Sequence, residues 1–108
     1  MLHARFVIAG IAIGGEPTGI RHGGLVVVAR AESAQMDWEV VIHTLDEPSV
    51  VIGTHHLDLD CVTGADVDGM VEIDRFTGPA VLVRTAGDAV VFRGTGPIDG
   101  IEIGMLRG

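Results

Sequence analysis

Val and Ile supply 25 residues of this 108-residue chain and Leu only seven, and sixteen glycines and four prolines cut their runs short. β-Branched side chains are stiff at χ1 and pack well on a pleated surface, so the excess favours strands over helices. Frequent Gly and Pro leave few windows long enough for a helix. Residues 4–13, 25–31, 38–45, 50–61, 70–75, 80–85, 89–93 and 101–106 read as strands. A helical turn fits only residues 29–36, and the stretch is short. Turn signals about every 12 residues point to an all-β fold. The expectation is a small antiparallel β-barrel or tightly coiled β-sandwich of six to eight strands, formed as a single domain.

Two hairpins follow from pattern. Gly87-Asp88 suits a type II′ turn, which takes Gly at its first central position. That loop sets Val83 opposite Phe92 and Arg84 opposite Val91. Val81, Val83, Val90 and Phe92 then form one apolar face, and Leu82, Arg84, Val91 and Arg93 the other. A second hairpin joins residues 57–61 to 70–74. Stacking Leu57, Leu59 and Cys61 on Val71 and Ile73 pairs Leu59 with Ile73, and the opposite face collects His56, Asp58, Asp60, Glu72 and Asp74. Slips in the apolar phase suggest bulges near Gly53-Thr54 and Gly10. Leu25-Val-Val-Val28 is apolar on both faces, as a strand covered on both sides would be.

The missing groups narrow the chemistry. The chain has no Lys, Tyr or Asn, and its seven basic residues are all Arg, a bias typical of GC-rich bacterial coding. Schiff-base and P-loop chemistry lack their lysine, and a phenolic acid is absent. One cysteine, Cys61, allows no internal disulfide and reads as a small core residue. Ser33 and Ser49 have no glycine-flanked elbow of the kind that presents a catalytic serine. A net charge of −8 argues against nucleic acid and anionic membrane surfaces as partners. The apolar run after Arg5 imitates a secretory signal, but it is too short to span a bilayer and no A-x-A site follows. It reads as a first strand, and the expected location is the cytoplasm.

The candidate sites are few. Asp58, Asp60, Glu72 and Asp74, with His56 beside them, offer oxygen ligands to a hard cation. Alternatively an Asp58–Glu72 pair raises one carboxyl into a useful general acid. A solvated outer face is the preferred reading, because a half-exposed strand requires alternating polar positions. Residues 65–69 (A-D-V-D-G) fail the EF-hand template at Gly64 and Arg75 and read as an acidic turn ending in Gly. His55 and His56 point to opposite faces and cannot share a metal, although His22 or His43 could join one of them across strands. His55 reads as inward, either a hydrogen-bonded filler or a pocket acid–base, with filler preferred. Arg84 and Arg93 are assigned to neutralising an acidic strand alongside. No cofactor is called for.

These observations favour a small acidic non-catalytic module that binds or assembles, with a homo-oligomer expected because strands apolar on both faces need more cover than 108 residues supply. The alternative is a small cofactor-free barrel enzyme of isomerase, cyclase or hydrolase type. It would hold a small apolar ligand in its pocket, with His55, or an Asp58–Glu72 pair, as the titrating group.

Overall fold

The computed structural model describes residues 1–32 and 35–108. Among the described residues seven strands run in chain order: β1 (Leu2–Ile13), β2 (Glu16–Thr18), β3 (Ile20–Ala29), β4 (Met36–Thr44), β5 (Thr54–Ala65), β6 (Val71–Ala86) and β7 (Ala89–Gly94). All pairings are antiparallel, in the order β2-β1-β3-β4-β7-β6-β5, and β1 pairs again with β5. Six strands therefore close a barrel, and β2 lies outside it against the end of β1. Closure removes the exposed edges that an open sheet would present.

Closure depends on β1 serving two neighbours. Its first half pairs with β3 and its second half with β5, and the β5 register shifts between Ile8 and Gly10. The extra residue of such a bulge bends the strand and increases its twist. The sequence expectation of a bulge near Gly10 thus holds. The one expected at Gly53-Thr54 does not: Gly53 has φ 134° just before β5, and the register shift in that hairpin falls between Val62 and Gly64.

Alternation fills the interior. Leu25 and Val27 from β3, Trp38, Val40 and Ile42 from β4, and Leu57, Leu59 and Cys61 from β5 point inward. Phe76, Ala80 and Leu82 from β6 meet them, with Val90 and Phe92 from β7. Each large buried side chain contributes about 1.5–3 kcal/mol relative to exposure. Ile98, Ile101 and Leu106 cap the core from the C-terminal segment, which is tied to the barrel by bridges from Arg107 to His3 and from Asp99 to Thr77.

Several sequence expectations need correction. Residues 101–106 form no strand, and a single 3-10 turn spans Ile103–Met105. Ala29 ends β3 and Met36 begins β4, so both ends of the helical turn expected over residues 29–36 lie in strands; Ser33 and Ala34, within that stretch, lie outside the described residues. Residues 70–75 and 80–85 belong to one strand, because β6 runs straight through Gly78-Pro79. Pro79 lacks an amide proton but its carbonyl still accepts from Thr95 N at 2.9 Å, so only its acceptor is needed. In the β6–β7 hairpin, Gly87 takes φ 62° and Arg84 faces Val91 as expected. A register shift between Leu82 and Arg84 sets Leu82, not Val83, opposite Phe92, and Val83 is 49% exposed.

Candidate functional site

The acidic ribbon is decided by register. Asp60 pairs with Arg75, Cys61 with Asp74 and Val62 with Ile73; after the shift, Gly64 pairs with Glu72. Leu59 is therefore opposite Phe76, not Ile73, and the expected stacking is overturned. Asp58 and Asp60 alternate with the inward leucines and face out, on the side of Val62 and Ile73. Glu72, next to Ile73, points to the other face. The structure thus places Asp58 and Glu72 on opposite sides of the ribbon and does not bring them together as a pair.

The remaining acids have local partners. Arg75 donates to both carboxylate oxygens of Asp60, at 2.9 and 3.2 Å. That guanidinium holds the Asp60 carboxyl below its ordinary value. Thr63 Oγ1 donates to Asp74 Oδ2 at 2.7 Å, and His56 Nε2 lies 3.3 Å from Asp58 Oδ1. Among the described residues, no three His, Cys, Asp or Glu side chains come together as a metal-holding group. The turn beyond is the expected acidic one: Asp66 Oδ1 accepts from Asp68 N and Met70 N, and Gly69 takes φ 80°. Its side chain mimics a backbone turn.

His55 sits at the mouth of the barrel on the core side. Its Nε2 donates to the Val51 carbonyl at 2.6 Å, and its ring meets Phe92 edge-on with centroids 6.1 Å apart. Cys61 is enclosed, and burial, followed by the charge of Asp60, pushes its thiol up to about 12.

Two groupings emerge that local spacing did not reveal. In the first, the β3–β4 register brings the rings of His22 and His43 to a centroid distance of 4.2 Å. His43 Nδ1 lies 3.2 Å from Asp88 Oδ1, and Arg21 lies 3.7 Å from the other oxygen. The His43 hydrogen bond is the main reason the Asp88 carboxyl is held below its ordinary value. The second is an open groove of about 690 Å³ across the outer faces of β1, β3, β4 and β7. Val26, Val28 and Val41 form its floor, and three of the chain's seven arginines, Arg5, Arg30 and Arg93, line it.

Comparison with protein families, with curated proteins and with solved structures finds no match.

The chemistry of the groove must therefore be read from its own groups. Arg30 pairs with Asp37 at 3.1 Å, and Arg93 lies 3.9 Å from Glu39 on the neighbouring strand, the role expected for it. Among the described residues Arg5 has neither an ion pair nor a hydrogen bond to its side chain. Three cations face two carboxylates here, whereas the whole chain carries a charge of −8. The floor explains the Leu25–Val28 run: Leu25 and Val27 are enclosed, while Val26 and Val28 remain only half-buried on the outside. A cationic rim over an apolar floor suits a partner that offers carboxylates and aliphatic side chains together.

Proposed function

We propose that this chain is a non-catalytic module that binds and assembles through the outside of its barrel. The observation that carries the reading is where unsatisfied surface lies. The interior is occupied by fully enclosed side chains such as Phe76, Phe92, Leu57 and Ile42. Apolar surface is left outside instead, at Val26 and Val28 in the groove, at Val7 on β1, and at Met70, Val71 and Ile73 on the β5–β6 ribbon. Contiguous exposed apolar surface rimmed by polar groups is the usual mark of an interaction site. The competing enzyme reading gains no support at His55, whose ring meets Phe92 and whose Nε2 is engaged by Val51.

Sedimentation velocity from about 1 μM to about 1 mM tests the assembly reading, a range that spans weak and moderate affinities. The expected result is a mass above 11.3 kDa that rises with concentration. A chain that stays monomeric throughout would remove self-assembly from the proposal.

A further inference from the structure

The tip of the β5–β6 ribbon and the arginine groove are complementary in charge and in chemistry. Between Asp66 and Asp74 the ribbon carries Asp66, Asp68, Glu72 and Asp74 and no basic residue. Val67 at its tip is fully exposed, and Met70, Val71 and Ile73 are all more than half exposed. By alternation Val71 and Ile73 lie on one face of the ribbon and Glu72 and Asp74 on the other, so an aliphatic and a carboxylate side chain sit next to each other at the turn itself, in Val67 and Asp68. The groove presents the converse: arginines above valines, with Arg5 placed to take a carboxylate.

We infer that the ribbon tip of one copy seats in the arginine groove of a second copy, and that the exchange is reciprocal. This inference rests on the assembly reading above and names its interface. Topology supports the arrangement, since β5 flanks β1 on one side and β3 flanks it on the other. The ribbon and the groove thus occupy neighbouring sectors of one outer surface and meet at β1. Cross-strand pairing lines up Val7, Val62 and Ile73 in a row at that boundary, and Val7 is 63% exposed. A two-fold axis near this row lets each copy offer its tip and receive its partner's, which closes the assembly as a dimer. Charge supports it too: two copies of charge −8 repel, and placing acidic tips on arginines relieves that repulsion at the contact.

The test uses two full-length variants, Arg5→Glu and Asp68→Arg, each at an exposed position whose side chain is outside every hydrogen bond and ion pair of the described fold. Far-UV circular dichroism and a thermal melt establish that each variant folds. Each alone makes both contacts of a symmetric dimer like-charged, and its dimer dissociation constant should rise about ten-fold or more. Mixed in equal amounts, the two variants form a heterodimer whose contacts are both oppositely charged. One contact sets the new glutamate of the first variant against the new arginine of the second, and the other retains the parental Arg5 against Asp68. The dimer mass should therefore return. Variants that dimerise like the parent, or a mixture that stays monomeric while the parent dimerises, would overturn the interface but leave assembly standing. A parent that never dimerises sinks both.

Discussion

A β-carbon on Gly94 would overlap Nε1 and Cε2 of Trp38, so the indole occupies the space that any side chain at position 94 requires. Gly78 is in the same position: a β-carbon there would lie 2.9 Å from Cζ2 of the ring. The indole is anchored, since its Nε1 donates to the Gly96 carbonyl at 2.9 Å and Trp38 is buried. Gly94→Ala should therefore destabilise the fold by about 1–3 kcal/mol, the range for an overpacked core. Trp38 is the only tryptophan, so urea unfolding followed by its fluorescence reports directly on this site. An unchanged midpoint would mean that the ring has room to move.

Cys61 gives a second expectation. Its enclosure between Leu59 and the β6 strand, and a thiol raised to about 12, leave almost no thiolate at neutral pH. The native protein should react with a thiol reagent at about pH 8, close to the ordinary thiol value, far more slowly than the chain in urea, and at a rate that follows global opening. Rapid labelling in the absence of denaturant would contradict the burial. Cys61→Ser should destabilise by about 1–3 kcal/mol, because a hydroxyl there loses water without gaining a partner.

What the sequence disclosed was set by local backbone chemistry. The Gly87-Asp88 turn was legible because it needs a positive φ at Gly87, and the bend near Gly10 because glycine marks a strand that must kink. The β5–β6 register was not legible. The pattern argument put Ile73 inside because it is apolar, yet Ile73 is 52% exposed and Phe76 takes the place opposite Leu59. Apolar residues are common on surfaces, so hydrophobicity alone does not fix a face. Gly78-Pro79 was misread as a break because its purpose is distant: Gly78 makes room for the Pro97 carbonyl and for Trp38, the latter forty positions away. The groove was hidden for the same reason. Arg5, Arg30 and Arg93 come from three separate parts of the chain, and only the strand order β1-β3-β4-β7 sets them side by side.

Acid should weaken the fold through Asp60. Its carboxyl is lowered in the folded protein by the Arg75 hydrogen bonds, so folding favours the ionised form. The associated stability is present above the unfolded value, about pH 4, and is lost as pH falls through the lower folded value. Arg75→Gln removes the cause. The variant should be slightly less stable than the parent at neutral pH, and the difference should close as pH falls through the lowered folded value, below which the carboxyl is protonated in both states. Urea midpoints across that range check it. A gap that persists in acid would mean that Arg75 acts through packing and not through charge.

The bond from His55 to Val51 separates a structural imidazole from an idle one. Nε2 lies 2.6 Å from a carbonyl that can only accept, so the nitrogen carries the proton and the ring holds the residues before β5 against the barrel mouth. His55→Ala removes that donor together with the edge contact to Phe92, and should lower stability by about 1 kcal/mol, the usual net worth of one hydrogen bond. His55→Gln keeps an N–H that can reach the same carbonyl, and should recover part of the loss. Protection of the amides near Val51 against hydrogen exchange should fall with Ala and return with Gln. Equal losses for both variants would assign the stabilisation to the ring against Phe92 and remove the hydrogen bond from the account.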